Sequence, residues 1–306
     1  MSERWGKKFK DNRDWVAYNE ELVRRGTFYM KLDWVKDWNK ELEQMNKGKQ
    51  GAPFEFPKSL INLQGIWHQC IDFRGIEGIT RQLVELGQLP DYNDYTCIFR
   101  RVTNIKPEFE LPMDKDIEVA CDGTGMTLVS GGAYRERTYG KKRKKYIKVV
   151  ITADVRKRKL LHCEVSIEGE GDSEPDTARN HINELKEKGK CIKKFWGDGA
   201  FDELDLINQL AEDGTEAAIK PRTKATSDGP KSANRKRIVE EHNSLGYKDW
   251  AKKKEYGMRW VGTEGIFSAV KRKFGECIRS KKIENMLKEA KMKFWAYDLI
   301  QKAGKS

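Results

Sequence analysis

Three acidic residues stand where this chain changes from one kind of element to the next: Asp122 in IEVACDGTG, Asp198 in KKFWGDGAFD and Glu264 in WVGTEGIFSAVKRKFG. Carboxylates are hard oxygen donors, and three of them gathered by a fold suit one or two Mg²⁺ ions, with Mn²⁺ able to substitute. A site of that kind cleaves and joins phosphodiester backbones, because the ions polarise the phosphate and stabilise the attacking and leaving oxygens. A single Asp followed by Gly is usually only a turn residue. Three acids at matching places in one topology carry more weight than any of them alone.

The elements that would position these acids follow from a change in hydrophobic period. From about residue 115 apolar residues alternate. Ile117, Val119 and Cys121 lead into Asp122, and YIKVVIT (146–152) and LLHCEVSI (160–167) are further strands, with hairpin chemistry around Gly131-Gly132 and at 154–159. A helix over 176–188, a strand over 191–196, a helix over 203–212 and a short strand over 216–219 complete the order βββαβαβ. A polar, basic insertion at about 222–260 then precedes a long helical region from Thr263. This is the order of the ribonuclease H-like fold, an α/β mixed sheet whose first and fourth strands are parallel neighbours. Asp122 is then expected at the end of the first strand, Asp198 just after the fourth, and Glu264 in the first turn of a helix N-capped by Thr263. Carboxylates this close repel one another, and a divalent ion relieves the repulsion.

The first 106 residues read as helices. Val35, Trp38, Leu42 and Met45 form one apolar stripe, Leu60, Leu63, Trp67 and Cys70 a second, and Ile76, Ile79, Leu83 and Leu86 a third. Gly87 is a C-terminal stop, and LPDYND supplies turn and cap before a helix carrying Ile98, Val102 and Ile105. That is the outline of a helix-turn-helix whose second helix would expose Thr96, Arg100, Arg101 and Asn104, residue types that read base edges and grip phosphates. A plain helical hairpin with a solvated basic face has the same pattern. The expected division is a helical DNA-binding region over 1–110 and a catalytic domain over 111–306.

With 60 Lys and Arg against 48 Asp and Glu in 306 residues, the formal charge is +12, and the sequence pI is about 9.2. Such a balance favours a polyanionic partner. Basic runs at Lys141–Lys145, Arg235–Arg237, Lys252–Lys254 and Lys271–Lys273 have Tyr146, Trp250, Tyr256 and Trp260 among them, the mixture a backbone groove with stacking platforms needs. Glu264 and Lys271 are two helical turns apart and share a face, so the lysine can hold a phosphate beside the acids. The six cysteines show no CxxC pair and are read mostly as core residues in a reducing compartment. No apolar run approaches about 18 residues, so no membrane partner is expected and the chain is placed in the cytoplasm, on DNA. His162 and His181 have no Ser or Cys at triad spacing. Asp172, Glu174 and Asp176 read as helix-dipole complements, Asp202 as a helix cap, and Trp260 as a core residue in preference to a stacking platform.

Together these residues resemble the DDE transposases of prokaryotic insertion sequences. The resemblance runs from RDWVAYNEELVRRG through FRGIEGITRQLVELGQLPDYNDYT to GDGAFD, AAIKPR and YGMRWVGTEGIFSAVKRKFG. It implies Asp122, Asp198 and Glu264 as catalytic metal ligands, and DNA contacts from Lys271, Arg259, Tyr256 and Arg222. In that family Tyr, Arg, Glu and Lys are separated by two, three and six residues; here Tyr256, Arg259, Glu264 and Lys271 are separated by two, four and six. The extra residue displaces Arg259 relative to Glu264. The implied activity is cutting at the terminal inverted repeats of an element and joining the 3′-hydroxyls to target double-stranded DNA. Paired cutting calls for a homodimer. A nuclease on the same fold without strand transfer, and a DNA-binding regulator with an inactive catalytic fold, remain alternatives, although the intact acidic triad weighs against the regulator.

Overall fold

The computed structural model describes residues 2–4, 7–9, 13–128, 146–223, 225 and 232–305. The Gly131-Gly132 hairpin and the Lys141–Lys145 run lie outside them. Contacts divide the chain into two units, Met1–Ile105 with Ala296–Ser306, and Lys106–Trp295.

The first unit is helical except at its start, where β1 (Ser2–Arg4) and β2 (Lys7–Phe9) pair antiparallel in place of the expected helix. Its helices are α1 (Trp15–Thr27), α2 (Trp38–Asn46), α3 (Lys58–Trp67), α4 (Phe73–Glu85) and α5 (Tyr95–Val102). Trp38, Leu60, Leu63, Trp67, Ile76, Leu83, Ile98 and Val102 form its core. Leu86 and Cys70, counted in the apolar stripes, are exposed, because both fall past the ends of their helices. The stop at Gly87 is a Schellman turn: φ is +68°, and the N–H groups of Gly87 and Gln88 donate to the carbonyls of Val84 and Leu83. Asp94 caps α5 by accepting from the N–H groups of Thr96 and Cys97. A buried reciprocal amide pair, Gln64 with Asn93, pins the loop between α4 and α5.

In the second unit β3 (Asp116–Leu128), β4 (Ile147–Asp154) and β5 (Lys159–Ile167) form the expected antiparallel meander. After α6 (Glu174–Glu187), β6 (Cys191–Gly197) returns parallel to β3; after α7 (Leu204–Glu212), β7 (Glu216–Ile219) pairs parallel to β6. The order β5-β4-β3-β6-β7 is that of a ribonuclease H-like mixed sheet. β3 is longer than its alternating pattern implies. It continues six residues beyond Asp122, paired with β4 as far as Met126 and with β8 (Cys277–Ile278) at Thr127 and Leu128. Asp122 therefore sits within a strand. The pairing with β6 ends close by, at Ala120 and Trp196.

One face of the sheet packs Ile117, Val119, Cys121, Val150 and Leu161 against Ala178, Ile182, Leu185, Leu206 and Leu210 of α6 and α7. On the other face Ala120, Trp196 and Ala218 meet Trp250 and Tyr256. These two aromatics come from the segment expected to be a polar insertion, which is mostly helical: α8 (Ala233–Lys253), kinked at Gly246 where φ is +71°, and α9 (Met258–Gly262). The region after Thr263 is likewise not one helix. α10 (Glu264–Phe274) stops at Gly275, whose φ is +75°, β8 intervenes, and α11 (Ile283–Lys305) follows. Buried Lys293 closes the end of α10 by donating to the carbonyls of Phe274, Gly275 and Cys277 at 3.2, 3.0 and 2.7 Å. Of the cysteines only Cys121 and Cys163 are buried, since Cys70 and Cys277 fall on turns and edges at the surface. No described helix is long and apolar enough to cross a membrane.

Candidate active site

Alternation along β3 turns Asp122 to the same face as Ala120, the face that α9 covers. Gly262 permits the approach: a Cβ there would stand 3.0 Å from Val155 Cγ2 and 3.3 Å from Ala120 Cβ. The helix end thereby delivers Arg259 and Thr263 to Asp122. Asp122 is 8% exposed. Its Oδ2 accepts from Arg259 Nη1 at 2.7 Å and lies 3.2 Å from Thr263 Oγ1, and its Oδ1 accepts from the Gly123 N–H at 2.9 Å. Burial pushes this carboxyl up to about 6, against the pull of Arg259.

Asp198 follows β6 and caps a short 3₁₀ turn, Gly199–Phe201, accepting from the Ala200 N–H at 2.8 Å. Glu264 opens α10 and accepts from Arg259 Nη2 at 3.2 Å. The three acids, together with Thr124, Arg259 and Phe267, line one cavity of about 350 Å³. Among the described residues no three His, Cys, Asp or Glu side chains are drawn tightly enough to form a ready metal cage. The cation between two of the acids is a guanidinium. Arg259 bridges Asp122 and Glu264, has its Cζ 5.8 and 5.6 Å from the ring centres of Tyr256 and Trp260, and leaves Nε without a hydrogen-bond partner among the described residues. The donor set suits a hard divalent ion, and the guanidinium marks where positive charge is wanted.

The other residues singled out in the sequence scatter. Tyr256 is buried, its hydroxyl donating to the Gly197 carbonyl at 3.1 Å and its pKa pushed to about 12 by burial. Arg222 is exposed, but its Nε and Nη2 bind the Gly199 and Ala200 carbonyls at 3.1 and 3.4 Å. Lys271 is half-buried two turns along α10, outside the cavity lining, and makes no ion pair with a described residue. Arg100 and Asn104 are exposed on or just past α5, whereas Arg101 turns inward over the Phe54 ring and donates to the Phe56 carbonyl. Trp260 is 56% exposed, not core, because α9 presents Arg259 to the sheet and turns its neighbour outward. Thr263 does not cap α10; its hydroxyl lies within reach of Asp122 Oδ2 and the Arg259 carbonyl.

One acid departs from its sequence reading and another adds to it. Asp202 is not the cap of α7, a place taken by Glu203; it is buried and paired with Arg235. Burial raises its carboxyl, but Arg235 and the Arg222 N–H outweigh that and hold it below the usual range. Glu174 does open α6, as a dipole complement should, and also pairs with Lys148 at 3.5 Å. The basic runs are partly used internally: Arg235 on Asp202, Lys253 on Glu241, and Lys254 on Glu216 and Glu241. His162 and His181 stack at 4.9 Å, and the hydroxyl of Thr152 is buried against His181.

The family described as Transposase DDE domain matches residues 114–299, and a second family of the same description matches residues 23–131. The chain belongs to the DDE transposases. The larger match contains all three acids of the cavity and both helices of the insertion. No curated protein matches this transposase in sequence. Among solved structures, a piggyBac transposase seen by cryo-EM in a synaptic complex with hairpin DNA is similar at 10% identity and a TM-score of 0.35, over 93% of this chain and 78% of that one. A likeness that weak does not carry the properties of one protein to the other.

Proposed function

We propose that this transposase cuts DNA at the ends of an insertion sequence and joins the freed 3′-hydroxyls to target DNA, with Asp122, Asp198 and Glu264 holding Mg²⁺ or Mn²⁺. The observation that supports this most directly is the convergence of three carboxylates, from mid-β3, the end of β6 and the start of α10, on one cavity. A divalent ion bound there would supply the charge that polarises a scissile phosphate and favours ionisation of the attacking hydroxyl.

The chain's own residues do the positioning. Asp122 is held on a rigid strand by Thr263 and Arg259, and Asp198 on a turn whose carbonyls Arg222 restrains. Lys271, free of described ion pairs on the same helix as Glu264, is placed to grip a phosphate. Arg259 balances two carboxylates in the absence of a metal and becomes available to a DNA phosphate once another cation replaces it. Residues 1–110, with Arg100 exposed on α5, are assigned to recognition of the element ends, and paired cutting to a homodimer.

Asp198→Asn tests the metal assignment, because an amide is a much poorer ligand for a hard cation. It should abolish cutting of end DNA while binding of that DNA stays close to wild type; wild-type cutting rates in this variant, or in excess chelator, rule the assignment out. Pre-cut ends with free 3′-hydroxyls, offered with a plasmid target, separate transposase from nuclease. Joined product is expected, and efficient cutting with no joining in Mg²⁺ or Mn²⁺ favours the nuclease.

A further inference from the structure

The turn that carries Asp198 is held from behind by a carboxylate with no part in the chemistry above. Asp202 is 6% exposed. Its two oxygens accept from Nε and Nη2 of Arg235 at 2.7 and 2.9 Å, a two-pronged pair of the kind that fixes orientation as well as charge. Oδ2 also accepts the backbone N–H of Arg222 at 2.9 Å. With its main chain pinned there, Arg222 turns its guanidinium back to the carbonyls of Gly199 and Ala200. The N–H of Ala200 in turn holds the carboxylate of Asp198. Arg235 belongs to α8, whose start is seated on α7 through Ser232 and Asn234, both donating to Asn208 Oδ1 at 2.6 and 3.2 Å. A carboxylate buried this completely would cost free energy without its guanidinium, so Asp202 is held to Arg235 in one arrangement.

We propose that Asp202 is a positioning residue, which sets the orientation of Asp198 through Arg222 and ties it to the seating of the inserted helix through Arg235. The inference rests on the reading of Asp198 as a metal ligand. Groups that orient a ligand from behind typically change metal affinity by about 10–100-fold, so the effect is read in binding and needs no turnover.

Mn²⁺ is titrated into the full-length protein and the free ion followed by its electron paramagnetic resonance signal, with thermal denaturation of each variant alongside. Asp198→Asn should lose the site. Asp202→Asn and Arg222→Leu should each weaken Mn²⁺ about tenfold, Arg222→Leu doing so near the wild-type melting temperature because the side chain is exposed. Arg222→Lys, with one ammonium in place of the fork, should recover only part of the affinity. If Asp198→Asn lacks the site yet Asp202→Asn and Arg222→Leu bind Mn²⁺ as wild type does, Asp202 serves stability alone and the proposal is overturned. It is overturned equally if Arg222→Leu loses affinity for end DNA with Mn²⁺ binding unchanged, since Arg222 is then a DNA contact. Wild-type binding by Asp198→Asn is a different result, which removes the metal reading itself. Should Asp202→Asn fail to fold, Arg222→Leu decides the matter by itself.

Discussion

Replacing Arg259 by Met keeps most of the side chain's bulk and removes the charge shared by Asp122 and Glu264. Glu264 is more than a third exposed on its side chain, so water replaces much of what it loses, and an ion pair of that kind contributes about 0–1 kcal/mol. Asp122, only 12% exposed on its side chain, regains less water, and it answers by taking up a proton. Its carboxyl already stands at about 6. Full protonation therefore adds about 1.4 kcal/mol at pH 7 and about 2.8 kcal/mol at pH 8, at ~1.4 kcal/mol for each pH unit above that value. The sign follows from the charge: the guanidinium matters only while the carboxylate is ionised, so its contribution is small below pH 6 and grows as the pH rises. In a unit of this size about 1.4 kcal/mol corresponds to ~3–6 °C in melting temperature. A divalent ion should then stabilise Arg259→Met more than wild type, because it no longer competes with an internal cation. Thermal denaturation of both proteins at pH 6, 7 and 8, with and without Mn²⁺, measures every term. A melting difference that stays constant from pH 6 to 8, or an Mn²⁺-induced rise no larger in the variant than in wild type, would refute the reasoning.

Lys271→Ala should reduce affinity for end DNA severalfold and flatten its salt dependence by about one counterion, with Mn²⁺ binding unchanged; a gel-shift series over salt concentration checks it. His181, buried against Thr152 and His162, has its pKa lowered to about 3. As the pH falls from about 6.5 towards that value the unfolded chain takes up a proton that the folded one refuses, so this group withdraws stability at up to about 1.4 kcal/mol per pH unit. Urea midpoints between pH 4 and 7 should consequently fall less steeply in His181→Gln than in wild type. Lys293→Met should cost about 2–4 kcal/mol by leaving the carbonyls of Phe274, Gly275 and Cys277, between the end of α10 and β8, without their donor, seen as an earlier urea transition with little change in its slope.

The acids were legible because each sits beside a local signal: an alternating run before Asp122, a strand and turn before Asp198, a helix start at Glu264. The order of strands was legible for the same reason, since a period of two is written into consecutive residues. Ion pairs between distant segments leave no such trace. Nothing near Asp202 announces Arg235, and nothing near Asp122 announces that Arg259, displaced by one extra residue before Glu264, would close on it. The far half of β3 was obscured by Gly123 and Gly125, which weaken a strand reading although the backbone there pairs normally. α8 was hidden in another way. Only Val239 and Trp250 are buried along its 21 residues, too few to raise an apolar stripe above its polar surroundings.

Those few residues also limit how this enzyme can be rebuilt. Trp250 is fully buried against the sheet, and the indole N–H of Trp196 on β6 donates to the carbonyl of Lys254 at 3.0 Å. The segment between β7 and α10 is thus a shareholder in the sheet's second face, not a cassette clipped onto a finished domain. Trimming it to make a minimal enzyme, or exchanging it for the corresponding stretch of a relative to alter DNA preference, would leave Ala120, Trp196 and Ala218 facing water. A graft will be tolerated only if its ends bring their own aromatic plug for that face.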